Sequence, residues 1–240
     1  MTVEVVIGDV HGEAGKLRRM IDLCKERYGD DILFYCTGDL IDRGPDSRGV
    51  LDICVEEGVI SCMGNHEYWL WEYLTFGREL PVTTPIWGTR PTFESYGAPA
   101  YDFGALARAM PESHKEYISS LQLVARVKVP EDCRPFWLTH SGLPQSVMAR
   151  TGSISVEDHL DMLVDSAPHV FFFSKPRFRS YLRNNVYAFP DDGVQIFGHQ
   201  IVGSPMVTDH YIALDTGCGT TDPNMLSAVV LNTMETVSVS

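Results

Sequence analysis

The sequence predicts a mixed α/β sandwich rather than a doubly wound parallel sheet. Between Val3 and Met63, short β-branched or aromatic runs alternate with segments of helical periodicity, giving β-α-β-α-β. Each of those runs ends in a polar, glycine-containing cluster, so the clusters fall on one edge of a parallel, right-handed unit. Beyond Val124 the chain is mostly short strands, which a doubly wound sheet does not produce. At 240 residues the chain is long enough to bury a large core. It reads as one domain over 1–240, with a loop and helical cap region at about 68–122.

The elements follow in order. Val3 to Ile7 is a buried strand that runs into Gly8-Asp9-Val10-His11-Gly12. Ala14, Leu17, Met20, Ile21 and Cys24 recur at three- and four-residue spacing, which marks an amphipathic helix. Ile32 to Cys36 is the second strand, and Asp46 can cap a helix carrying Val50, Leu51, Ile53 and Cys54. Val59 to Met63 is the third strand, ending at Gly64-Asn65-His66-Glu67. Tyr68 to Phe76 is aromatic and helical. Glu79 to Pro99, with four prolines, is a loop or cap region, and Ala105 to Leu123 is helical in parts. Strands are expected at Val124–Val129, Phe136–Thr139, Gln195–Phe197, Tyr211–Leu214, Ser227–Leu231 and Glu235–Val239. A helix is expected over Val156–Val164, with its acids outward, followed by a basic and aromatic stretch from Phe171 to Arg183.

Charge narrows the partners. Nineteen basic residues against 32 acidic ones leave a formal net charge of −13, which disfavours non-specific binding to nucleic acid or to an anionic membrane. No apolar run approaches the roughly 20 residues that span a bilayer. The N-terminal residues do not read as a signal peptide. The six cysteines form no Cys-x-x-Cys pair, so buried free thiols are expected rather than structural zinc. A reducing cytoplasm fits that usage.

The chain is organised around Gly38-Asp39-Leu40-Ile41-Asp42-Arg43-Gly44. Two acids and a guanidinium between glycines suit a metal ligand, an orienting carboxylate and a phosphate clamp. A solvated turn with a local ion pair is the competing reading. Collected from all strand ends, the polar residues are Asp9, His11, Asp39, Asp42, Arg43, Asn65, His66, His140 and His199. Oxygen mixed with imidazole nitrogen suits manganese, iron or zinc better than calcium or magnesium alone. One carboxylate can bridge two ions, and such a pair can clamp a phosphoryl group.

The three clusters at 8–12, 38–44 and 64–67 resemble the signature motifs of the PPP-type metallophosphatases, within the calcineurin-like phosphoesterase superfamily. Thr139-His140-Ser141-Gly142 and Phe197-Gly198-His199 resemble that family's later histidine ligands, and Asp215-Thr216-Gly217 its late Asp-Thr-Gly segment. The resemblance is to the bacterial and phage-like serine/threonine protein phosphatases. It implies a β-sandwich of two mixed sheets flanked by helices. It further implies two divalent metals, manganese favoured over iron or zinc. Asp9, His11 and Asp39 would hold one, and Asp39, Asn65, His140 and His199 the other. A metal-bridging hydroxide would attack phosphorus directly. His66 would be the general acid, Asp42 would orient it, and Arg43, with Asn65 beside it, would bind substrate phosphate.

Where many relatives carry a second phosphate-binding arginine, this chain has Phe173-Ser174-Lys175-Pro176-Arg177, so Lys175 or Arg177 is the candidate substitute. His114, His159, His169 and His210 read as surface residues. Trp69, Trp71 and Tyr73 read as core packing, and Trp87 to Phe93 as a loop near the catalytic mouth. The implied function is a phosphomonoester hydrolase acting on phosphoserine or phosphothreonine in proteins, or on small phosphoesters. The alternative is a symmetrical dinucleoside tetraphosphate hydrolase, whose relatives share the Arg43–Ser47 run but typically lack the aspartate at Asp42 and end the third motif in Asp rather than Glu67. A non-catalytic scaffold is disfavoured because every candidate position is filled, and a nuclease because no basic stripe is present.

Overall fold

The computed structural model describes residues 2–82, 86–130, 132–143, 158, 161–162, 164–165, 168–172, 193–220 and 224–240. Strands β1 (Val3–Ile7), β2 (Ile32–Cys36) and β3 (Ile60–Ser61) alternate with helices α1 (Ala14–Tyr28) and α2 (Ser47–Glu57). Helix α3 (Asn65–Phe76) and the short helices α4 (Arg90–Ser95), α5 (Phe103–Ala109) and α6 (Glu112–Ser120) follow. Among the described residues the later part of the chain supplies the strands β4 (Val124–Val127), β5 (Phe136–Thr139), β6 (Val194–Phe197), β7 (Met206–Val207), β8 (Tyr211–Ala213), β9 (Leu226–Val230) and β10 (Glu235–Val239), with a 3-10 turn at Pro168–Phe171.

The strands form two mixed five-stranded sheets, ordered β10-β9-β1-β2-β3 and β4-β5-β6-β8-β7. In the first, β1, β2 and β3 are parallel and β9 returns antiparallel to β1. In the second, β5, β6 and β8 are parallel. The pleat divides the core in two. Val6, Tyr35 and Val229 pack against Phe136, Leu138, Ile196 and Ile212 between the sheets. Val5, Ile7, Phe34 and Cys36 point the other way, to the helices. From Val5 to Ile7 both faces of β1 are therefore dry, which is why those three residues are all apolar instead of alternating; Glu4 before them is buried too.

Several expectations need correction. The third strand shrinks to Ile60–Ser61, because the ladder with β2 covers only those two residues. The helix expected from Tyr68 begins three residues earlier, with Asn65 the first residue of α3. Its cap is Gly64, whose N–H donates to the Glu67 carboxylate at 2.9 Å. The region read as loop contains α4, started by Pro91, whose missing N–H costs nothing at a helix start. His114 is buried, not at the surface: its ring bridges the Tyr96 hydroxyl at 2.7 Å and Asp52 at 2.9 Å. His169 and His210 are exposed, and five of the six cysteines are buried free thiols, Cys133 being exposed. Asp46 caps α2 by accepting from the Gly49 N–H. Asp158 and Asp161 are helical and exposed, but most of the 156–164 helix, His159, and the Lys175 and Arg177 positions lie outside the described residues.

One buried group ties the first sheet's loops together. Glu67 Oε1 accepts from the backbone N–H groups of Leu40 and Ile41 at 2.7 and 3.1 Å, and Oε2 from those of Asp39 and Gly64, both at 2.9 Å. Burial first, then the nearby Asp39 carboxylate, push its pKa up to about 8, while the amides pull it down. Glu67→Gln replaces one acceptor oxygen by a donor and strips two of these amides. The expected loss is about 2–4 kcal/mol of unfolding free energy, read as a lower urea midpoint at unchanged slope. An unchanged midpoint would show that the amides do not depend on Glu67.

Candidate metal centre

The sequence-predicted residues converge at the carboxyl ends of the parallel strands of both sheets. Asp9 and His11 follow β1, Asp39 follows β2, Asn65 and His66 open α3, His140 follows β5 and His199 follows β6. All seven are buried. His11, Asp39, Asp42, Arg43 and His199 have backbone φ between 46° and 72°, a left-handed conformation uncommon for side-chain-bearing residues. Straining the backbone in this way turns each side chain off its strand toward a common centre. Gly64 answers the same crowding: a Cβ there would meet the Asp39 amide nitrogen at 2.5 Å.

Two groups of potential ligands share Asp39: one is His11, Asp39 and His66, the other Asp39, His140 and His199. His11 Nε2 lies 3.5 Å from Asp39 Oδ2, and His140 Nε2 lies 3.4 Å from Asp39 Oδ1. His140 Nε2 also stands 3.1 Å from the Asn65 side-chain oxygen and 3.0 Å from His199 Nδ1. Asp9 is held by the Thr37 hydroxyl at 2.6 Å and by the His199 N–H at 2.8 Å.

The protonation pattern suits cations. His11 Nδ1 faces the Ile41 carbonyl and His140 Nδ1 the Thr37 carbonyl, each at 3.1 Å. A carbonyl only accepts, so both Nδ1 atoms carry the proton and both Nε2 atoms present lone pairs to Asp39. The Arg43 guanidinium donates to His11 Nε2 at 2.7 Å, which fixes the same tautomer independently. Burial, His66 and Arg43 hold His11 well below the usual imidazole range. Burial and Asp215 raise Asp9 well above the usual carboxylate range, and burial brings Asp39 up to about 7 against the pull of Arg43. Among the residues gathered here Arg43 meets only the His11 lone pair, and divalent ions fit the set of imidazole nitrogens and carboxylates that remains.

His66 is arranged differently. Its Nδ1 lies 2.7 Å from Asp42 Oδ2, and its Nε2 points inward, 4.0 Å from Asp39 Oδ2. Asp42 also accepts from Trp69 Nε1 at 3.0 Å and from the Thr92 hydroxyl at 2.5 Å. Burial brings Asp42 up to about 7, opposed by those two donors. The Trp87 ring meets His66 edge-on, with centroids 5.4 Å apart. Trp69 is thus both core and a partner of the site. Its place three residues after His66, on the same helix face, is a signal the sequence carries. Thr92, Thr37 and the amide-binding role of Glu67 were not anticipated, and Thr92 has no local signal at all.

Residues 5–203 match the calcineurin-like phosphoesterase family. A segment of 62 residues is 42% identical to serine/threonine-protein phosphatase 1 of Salmonella typhimurium strain LT2, covering 26% of this chain and 28% of the relative. A segment of 63 residues is 40% identical to the symmetrical bis(5'-nucleosyl)-tetraphosphatase of Aeromonas salmonicida, covering 25% of this chain and 23% of the relative. These alignments span about a quarter of the curated relatives' length. Among solved structures, a candidate diadenosine tetraphosphatase superposes with a TM-score of 0.62 at 20% identity, covering 99% of this chain and 93% of the other. A protein serine/threonine phosphatase from Saccharomyces cerevisiae does so with 0.51 at 16% identity, covering 95% and 73%. Those two likenesses establish the metallophosphoesterase fold. With the family matching most of its length and a histidine–carboxylate centre at its strand ends, the chain belongs to the calcineurin-like phosphoesterase family.

Proposed function

We propose that this chain is a two-metal phosphomonoester hydrolase whose preferred substrates are phosphoserine and phosphothreonine in proteins. The His66–Asp42 pair carries the proposal. A buried carboxylate that accepts the Nδ1 proton fixes the imidazole tautomer and favours its charged form, leaving Nε2 directed into the centre as a proton donor. Hydrolysis of a serine or threonine phosphomonoester expels an alkoxide, a poor leaving group that needs such a donor.

In this reading Asp9, His11 and Asp39 hold one divalent ion and Asp39, Asn65, His140 and His199 the other, manganese being favoured over iron or zinc. When bound, such ions neutralise phosphoryl charge and make water a nucleophile near neutral pH. His66 Nε2 hands its proton to the departing oxygen, and Asp42 stabilises the imidazolium that does so. Arg43 offers a planar, permanently charged fork to the phosphate oxygens. Asn65 opens α3, so the positive end of that helix also faces the anion. Lys175 and Arg177 remain candidates for a second cation. Small phosphoesters would serve as artificial substrates, and the net charge of −13 speaks against nucleic-acid or membrane partners. Among the described residues no helix is long and apolar enough to cross a membrane.

The similarity to the Aeromonas enzyme supports a second reading, hydrolysis of a symmetrical dinucleoside tetraphosphate. Asp42 and Glu67 favour the first, since the symmetrical tetraphosphatases typically carry neither at these positions.

Metal-stripped protein reloaded with manganese is expected to release phosphate from a phosphoserine peptide faster than it cleaves diadenosine tetraphosphate. His66→Asn should lower kcat on the peptide by about 10²–10³ with little change in bound metal. Preference for the dinucleotide would install the second reading. Independently, His140→Ala should lower bound manganese toward about one equivalent per chain, measured by elemental analysis after gel filtration. Retention of the wild-type amount would remove His140 from the ligand set.

A further inference from the structure

We infer that Thr92 is a positioning residue for the proton donor: its hydroxyl, brought in by α4 from the cap region, fixes the Asp42 carboxylate and through it the His66 ring. This rests on the proposed role of His66.

The hydroxyl is fully buried and engaged on three sides. It stands 2.5 Å from Asp42 Oδ1, 3.0 Å from the Asp42 backbone nitrogen and 2.9 Å from the Ser47 hydroxyl. The proton directions follow. Thr92 has one proton, which goes to the carboxylate; the Asp42 N–H donates back to Thr92 and also to Ser47 Oγ at 3.0 Å. Ser47 therefore donates to Thr92. A directed relay, Ser47 to Thr92 to Asp42, meets His66 Nδ1–H coming from the other side. Trp69 supplies only one further donor, to the oxygen that His66 already uses. Thr92 is the partner of the opposite oxygen, so it sets the rotation of the carboxylate about its own axis.

The same arm grips the neighbouring residues. The Gly88 carbonyl accepts the Arg43 N–H at 2.7 Å, and at φ 65° a Cβ on Gly88 would lie 2.9 Å from Arg43 Cγ. The Trp87 ring abuts His66. Thr89 anchors the arm by donating to the Val82 carbonyl at 3.0 Å. Asp42 and Arg43 both sit at positive φ, a conformation that surrounding contacts must impose. The arm at 87–92 supplies those contacts from outside both sheets, so the cap region is part of the proton-donating apparatus and not only a rim around it.

The test compares manganese-loaded wild type, Thr92→Val, Thr92→Ser and Ser47→Ala on a phosphoserine peptide and on p-nitrophenyl phosphate, whose leaving group departs without a proton. Thr92→Val keeps the shape and removes the hydroxyl. It should lower kcat on the peptide by about 10- to 100-fold with KM within about twofold, and lower kcat on p-nitrophenyl phosphate by less than about threefold. Thr92→Ser should restore the peptide rate to within about threefold of wild type. Should Thr92→Val not fold, Ser47→Ala takes its place, with a smaller loss confined to the peptide. Equal losses on both substrates, a change in KM alone, or no rescue by serine overturns the inference. A wild type that hydrolyses neither substrate overturns the phosphatase proposal and this inference with it. A wild type active on both, with Thr92→Val equally active, overturns this inference alone.

Discussion

The Glu67 carboxylate is the contact on which the site's geometry turns. It is buried beyond reach of water, and its two oxygens collect four backbone amides from two loops that are distant in sequence. Three belong to Asp39, Leu40 and Ile41, where the chain leaves β2 with Asp39 at φ 50°. That conformation costs an ordinary residue about 1 kcal/mol or more, and without amide acceptors the loop would relax into an extended path. The fourth belongs to Gly64, the cap of α3. Glu67 therefore places Asp39 and the start of α3 relative to one another, and Asp39 is the one carboxylate that both groups of potential ligands share. The residue nominated as a mark of one family branch acts here as a backbone clamp.

Given that frame, electrostatics explains the choice of residues around it. His11 and His140 spend their Nδ1 protons on strand-end carbonyls, which turns two lone pairs toward Asp39. Burial, and after it the like charge of Asp215, raise the pKa of Asp9 beside this group. Arg43 compensates in part by donating to His11. A buried cluster of this sign is unfavourable by itself, since desolvation and like-charge repulsion act in the same direction. The acid-rich surface does not relieve it. Bound cations would offset both effects, and on the proposed reading folding and metal affinity would be linked in this centre.

Much of this was legible in the sequence because it is local. A strand dry on both faces reads as a continuous apolar run, and the inner parts of the first two strands, Val5–Ile7 and Phe34–Cys36, are such runs. Polar residues after a strand end point to the sheet edge, which placed Asp9, His11, Asp39, Asn65, His66, His140 and His199 together. What escaped is long-range. Thr92 meets Asp42 fifty residues away, through a helix of six residues that no periodicity announces. His114, flanked by serine and lysine, looked exposed, yet α6 turns it inward onto Tyr96 and Asp52. The helical pattern in the sequence begins at Tyr68, but the helix begins at Asn65. Glycine serves as a helix cap when a glutamate sits three residues on, as it does here.

The division between sandwich and cap has a consequence for substrate choice. The candidate ligands come from strand ends and the start of α3, whose positions are set by two sheets and by Glu67. The surroundings of His66, the proposed proton donor, come partly from elsewhere: Thr92, Gly88 and Trp87 all lie on one short arm between α3 and α5. The two parts can vary independently, because no residue of that arm belongs to either group of potential ligands. A chain that lost Asp42 would have no use for Thr92 and would keep its metals. Such a chain would suit a leaving group that is already a good one, as a nucleoside polyphosphate is. On the reading proposed above, a chain that keeps the Thr92–Asp42–His66 line would be equipped for the harder departure of a serine or threonine alkoxide.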